Sequence, residues 1–268
     1  MAHENTTRRI TSDGIELAVD EFGRGTPLIF AHGLTSNRAQ SRRQMAPLAD
    51  RHRVIIFDQR GHAESSPIAD AALYDVRRMA GDMAAILDTL GVEQAIVGGE
   101  SLGAGTALRF AVEWPQRVKA LVLALPALSD EPLAARQTVK DFGPALRSLG
   151  MATFADRNEQ EMLKSGATPR RAAEWKAVLR SHQAGSIALA CDVVSDWIVC
   201  TSDNLRHLDM PVLIIAVEGD PVHPSALAER LRATIPHARL VLLQSIAAYS
   251  EDPAIVGHIC RDFLNAVM

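Results

Sequence analysis

The chain has 268 residues, of which 47% are apolar and 22% charged, a composition that suits one folded domain with a sizeable core and excludes a disordered or collagen-like chain. Its 28 basic and 32 acidic side chains are interspersed and give a net charge of −4, so no block of charge points to nucleic acid or a membrane surface as partner. Three cysteines, Cys191, Cys200 and Cys260, have neither metal-ligand nor CxxC spacing, and an odd number argues against a disulfide framework; they read as reduced, buried thiols.

The chain opens Met-Ala-His-Glu-Asn-Thr-Thr-Arg-Arg, with no apolar run for a secretory signal or anchor, so a cytoplasmic location is expected. Residues 1 to about 8 read as frayed. Ile10 to Phe22 alternate around Ser12-Asp13-Gly14, which predicts a hairpin. Pro27 to Ala31 and Arg53 to Asp58 are short apolar runs of the kind that form buried parallel strands. Arg38, Arg42 and Arg43 fall in a helix between them and read as a solvated face. Met79, Met83, Ile86, Leu87 and Leu90 recur at helical spacing, with Gly91 as the stop.

Further strands are expected at Ala95 to Gly98, Val118 to Leu125, Pro211 to Val217 and Val241 to Leu243, with helices near 102–113, 225–235 and 253–267. Such alternation predicts an α/β fold with a mostly parallel sheet covered by helices on both faces. From Leu128 to His207 helical patterns continue without a strand. Residues 128–207 are therefore assigned to an inserted helical cap, and 1–127 with 208–268 to the core. Phe142, Leu146, Leu149, Met151, Phe154, Met162, Trp175 and Trp197 either line a pocket under this cap or pack it onto the core.

Gly99-Glu100-Ser101-Leu102-Gly103 follows one predicted strand and opens the helix after it. A sharp strand-to-helix turn forces the serine into strained dihedrals and needs small neighbours, which Gly99 and Gly103 supply. The turn also sets the hydroxyl at the positive end of the helix, where an oxyanion is favoured. With this nucleophile elbow the chain resembles the α/β-hydrolase superfamily, in the branch of small esterases, enol-lactone hydrolases and cofactor-independent haloperoxidases. The resemblance covers nearly all of the chain outside the cap.

It implies several roles. His32-Gly33-Leu34 matches the loop that supplies one oxyanion donor, so the Leu34 amide would act with that of Leu102, while His32 braces the loop. Asp58-Gln59-Arg60-Gly61-His62-Ala63-Glu64-Ser65 resembles an architectural loop of the family, with Ala63 in place of a glycine. Asp220, in Glu218-Gly219-Asp220-Pro221-Val222-His223-Pro224, is the expected acid of a triad. A small-molecule substrate is implied, with no metal or organic cofactor; oligomeric state is left open.

The family's histidine normally follows the last strand, shortly before a Glu-x-Pro. Here Glu251-Asp252-Pro253 is present, but Ile246 stands at the histidine position. His237 precedes the strand and His258 falls in the last helix, away from the carboxyl ends of the strands where such sites lie. Three readings follow. Another imidazole enters the site, with His223 the leading candidate and His182 and His207 further options, and Ser101 then attacks an ester or lactone. Alternatively the oxyanion pocket serves a lyase, decarboxylase, isomerase or cyclase, with Tyr249, Glu100 or an Asp220 of raised pKa moving protons. Or the chain is a non-catalytic binder, or position 246 is engineered. An enzyme acting on a small or medium carbonyl substrate, ester or lactone, is the leading expectation.

Overall fold

A computed structural model describes residues 6–131 and 133–268. Eight strands form one sheet in the order β1-β2-β4-β3-β5-β6-β7-β8. They are β1 (Thr6–Ser12), β2 (Ile15–Gly23), β3 (Thr26–Ala31), β4 (His52–Phe57), β5 (Ala95–Glu100), β6 (Val118–Ala124), β7 (Val212–Val217) and β8 (Ala238–Leu243). The hairpin pairs antiparallel, β2 joins β4 antiparallel, and all other pairs are parallel. Residues 1–5 of the expected frayed end lie outside the described residues; Thr6, Thr7 and Arg8 instead pair with Glu21, Asp20 and Val19.

The apolar runs of the central strands arise because both sheet faces are covered. In β3, Leu28 and Phe30 face one core while Ile29 and Ala31 face the other; in β4, Val54 and Ile56 divide from Ile55 and Phe57 in the same way. Helices α1 (Arg38–Met45) and α10 (Ile255–Val267) cover the first face. Helices α2 (Val76–Thr89), α3 (Leu102–Glu113) and α8 (Ser225–Thr234) cover the second. Between β6 and β7 the chain forms α4 (Arg136–Lys164), α5 (Pro169–Arg180), α6 (Ala184–Val194) and the short α7 (Ser202–Arg206). Helix α4 is broken at Gly150, whose φ of 70° and ψ of 162° are not helical. Leu146 and Met151 on either side of the break are buried in the second core. No helix among the described residues is long and apolar enough to cross a membrane.

The basic stretch on α1 is a solvated face only at Arg43, whose side chain is 48% exposed. Arg38 is only 12% exposed and reaches Asp58, Asp20 and Glu64, while Arg42 pairs with Asp20 at 3.2 Å and lies 4.4 Å above the Phe22 ring. The acids that hold these arginines sit on β2 and beyond β4, and converge only when the sheet forms. Arg43 reaches Glu174 on α5 at 3.0 Å.

The loop after β4 is held from within. Arg60 and Asp82 are shielded from solvent and form two parallel hydrogen bonds of 2.8 and 2.7 Å, and Arg60 also donates to the Leu73 carbonyl. Ala63, in the family's glycine position, keeps a glycine-like φ of 40°. Removing one member of a buried pair leaves the other uncompensated, so Asp82→Ala is expected to cost about 3–5 kcal/mol. Urea unfolding of the purified variant measures this, and a loss below about 1 kcal/mol would show the pair to be dispensable. The three cysteines are buried and unpaired, and burial pushes each thiol up to about 12, which leaves them unreactive.

Candidate active site

Ser101 stands between β5 and α3 with φ 53° and ψ −112°, a backbone conformation that side-chain-bearing residues rarely adopt. The turn is fixed by close approach. A Cβ on Gly99 would lie 2.1 Å from the Gly103 carbonyl oxygen, and one on Gly103 would lie 2.1 Å from that of Ala31. The Ser101 amide donates to Ala124 on the neighbouring strand at 2.9 Å, which ties the elbow to the sheet.

Asp220 and His223 occupy the loop between β7 and α8. One carboxylate oxygen of Asp220 accepts from the amides of Val222 and His223, at 2.8 and 3.0 Å, and so folds the loop back on itself. The other lies 2.9 Å from His223 Nδ1. A carboxylate only accepts, so Nδ1 carries the proton and Nε2 is left as an acceptor. His223 Nε2 is 2.9 Å from Ser101 Oγ. The imidazole thus spans Ser101 and Asp220, with 15% and 12% of the His223 and Asp220 side chains exposed.

Burial raises the Asp220 carboxyl, but the hydrogen bond and charge of His223 and the two loop amides outweigh it and hold the group below its ordinary value. The raised pKa expected for an Asp220 without a histidine is therefore corrected, because the histidine is present. The other imidazoles are placed elsewhere. His237 lies between α8 and β8 and His258 within α10. His207 is exposed and bonds the Asp203 carbonyl. His182 is buried edge-to-face on His62 and accepts from the Ala63 amide; burial lowers it to about 3, so it stays neutral.

Gly33 borders the elbow closely, with an added Cβ there falling 3.5 Å from Ser101 Cβ. His32 braces this loop: its Nδ1 donates to the Gly33 carbonyl at 2.7 Å and its Nε2 accepts from the Gln59 amide at 3.0 Å. Burial holds its pKa well below the usual histidine value, which suits a neutral ring with both nitrogens engaged. His62 Nε2 lies 2.8 Å from the Leu34 carbonyl and pins the next peptide. The amides of Leu34 and Leu102 find no backbone acceptor among the described residues.

Residues 26–246 match the sequence profile of a family described as alpha/beta hydrolase fold. The chain belongs to that family. It is 27% identical over 256 residues to 3-oxoadipate enol-lactonase 2 of Acinetobacter baylyi, covering 93% of each chain. A putative carbamate hydrolase of Azorhizobium caulinodans is 29% identical, with 84% of this chain and 85% of that one covered. Among solved structures, a thermophilic esterase from Thermogutta terrifontis superposes with a TM-score of 0.80 at 25% identity, over 98% of this chain and 99% of that one. Membership in the small-esterase branch agrees with the resemblance read from the elbow.

Within this hydrolase fold, Ser101, Leu34, Leu102 and His223 share a pocket of about 250 Å³. Phe142 from α4 and Trp175 from α5 line it together with Leu128, Leu133 and Val194. Ile246, by contrast, does not line this pocket. It is the first residue of an unexpected helix, α9 (Ile246–Glu251), N-capped by Ser245, and is 48% exposed in an outer groove beside Met162 and Thr168. A six-residue helix is too short to show a period in the sequence. Tyr249 on α9 instead approaches the elbow and donates to Glu100 Oε1 at 2.6 Å; burial and the adjacent carboxylate keep its hydroxyl protonated.

Proposed function

We propose that this protein hydrolyses small or medium carboxylic esters or lactones, with Ser101 as nucleophile, His223 as base and Asp220 orienting the imidazole. The observation that carries this reading is the pair of 2.9 Å contacts that His223 makes, one to Ser101 Oγ and one to Asp220. Nucleophile, base and orienting acid at these distances are what acyl transfer requires. An enol-lactonase and an esterase among its relatives lend further support.

The chemistry follows from the atoms. Ser101 Oγ forms a bond to the carbonyl carbon while its proton passes to His223 Nε2, and Asp220 stabilises the imidazolium. The carbonyl oxygen takes up negative charge, and the amides of Leu34 and Leu102 donate to it; losing one such donor typically costs about 10²–10³ in rate. When the C–O bond of the leaving alcohol breaks, His223 returns the proton to that oxygen. Water, deprotonated by the same nitrogen, then bonds to the acyl carbon; as the bond from that carbon to Ser101 Oγ breaks, His223 returns the proton to Oγ and the carboxylic acid leaves. Acid and base here come from one loop, and the apolar pocket under Phe142 and Trp175 receives the acyl or alcohol part.

A fluorophosphonate probe should add one phosphonyl group per chain, read by intact mass, and Ser101→Ala should take none. An unmodified wild-type protein would remove the nucleophilic reading.

A further inference from the structure

A second, polar cavity of about 150 Å³ adjoins the apolar pocket, and Glu100 and Trp175 line both. It lies among α1, which contributes Gln44, α5, which contributes Arg171, and α9, which contributes Tyr249. Helix α9 thus closes on the elbow without filling the space beside it.

Two residues that line this cavity carry hydrogen-bonding atoms without a partner. Arg171 Nε and Nη1 are sealed from solvent and meet no acceptor, and Gln44 Oε1 is sealed and meets no donor. The orientation of Gln44 is fixed, because its Nε2 donates to Glu100 Oε2 at 2.8 Å, so Oε1 is an acceptor awaiting a donor. Neighbouring Arg43 and Arg170 both pair with Glu174, while Arg171 stacks at 5.4 Å over the Trp175 ring and makes no ion pair among the described residues. Buried donors and acceptors of this kind are costly when unsatisfied. Their complement is a group with a carbonyl oxygen and an N–H side by side.

Charge favours the same group. Glu100 and Asp252 line the cavity, and Arg171 is the one cationic side chain in its lining. A carboxylate placed there would meet two acids, and an ammonium would meet the guanidinium. A neutral amide meets neither repulsion.

We propose that this cavity is a subsite for a neutral amide group of the substrate, its carbonyl on Arg171 and its N–H on Gln44 Oε1, with the apolar remainder of the molecule in the Ser101 pocket. The assignment rests on the reading that carbonyl substrates are processed at Ser101, and its test reads binding apart from turnover. The Ser101→Ala protein is titrated by calorimetry with 4-phenylbutanamide, with 5-phenylpentan-2-one, which replaces the NH₂ by a methyl, and with 4-phenylbutanoate. The amide is expected to bind at least about tenfold more tightly than either of the others. In Ser101→Ala carrying Arg171→Met as well, that advantage should disappear.

Equal affinity for amide and ketone, tightest binding of the carboxylate, or no binding of any ligand would overturn the subsite. If the doubly substituted protein fails to fold, the ligand series on Ser101→Ala decides alone. An amide preference without fluorophosphonate labelling of the wild type would keep the subsite and discard the hydrolase; labelling without the preference would do the reverse.

Discussion

His223→Ala is expected to lower kcat for a p-nitrophenyl ester by about 10⁶, the loss seen when the base of a serine hydrolase is removed. The reason is geometric. His223 Nε2 is the imidazole nitrogen that contacts Ser101 Oγ, at 2.9 Å, and the neighbouring His32, His62 and His182 have their rings bound to the backbone. Stopped assays across pH 6–9 check this, and a variant retaining more than a few per cent of wild-type turnover would exclude His223 as base. Fluorophosphonate labelling should slow in parallel, since the same proton must leave Ser101. Ile246→His makes the complementary case. Its side chain would project into the outer groove of α9 and not into the Ser101 pocket, so turnover should change less than about threefold. A gain of several orders of magnitude would mean that the pocket still lacks a base.

Asp220→Asn is expected to lower kcat by about 10⁴, because an amide can donate to Nδ1 and so hold the imidazole in the wrong tautomer. The acid also accepts from the Val222 and His223 amides, and an asparagine oxygen can keep those bonds, so the loop should retain its shape. Rate and fold are therefore separable in this variant. Stability supplies a second reading of the same carboxylate. Its folded pKa is depressed, so its stabilising contribution is complete above the unfolded value of about 3.9 and fades as pH falls through the lower folded value. Urea unfolding should show wild type more stable than Asp220→Asn at pH 7, with the gap narrowing below pH 4. A gap that widens on acidification would contradict the depressed pKa.

Much of the fold is legible because it depends on short-range pattern. The hairpin at Ser12-Asp13-Gly14, the apolar runs of β3 and β4 and the strand-turn-helix at Ser101 each follow from residues within about ten positions of one another. Both the strained φ of Ser101 and the glycines that allow it belong to this class. Asp220 and His223 are also local partners, three residues apart, and their mutual contact follows from one loop.

What local pattern does not carry is convergence. Arg38 reads as solvated until β2 and the loop after β4 bring three carboxylates around it. Arg171 sits on a helix whose buried residues are Ala172, Val178 and Leu179, and gives no sign in the sequence that two of its guanidinium nitrogens are sealed in a cavity wall shared with Gln44 and Tyr249. Helix α9 escapes notice for its brevity, and with it the reason why Ile246 leaves the pocket.

The sequence by itself determined the parallel sheet, the elbow and an isoleucine at position 246. Only the tertiary structure decided that His223 reaches Ser101, across 122 positions of chain. An imidazole's protonation and aim depend on which strand ends lie adjacent, and adjacency of β5 to β6 and β6 to β7 is a property of the assembled sheet.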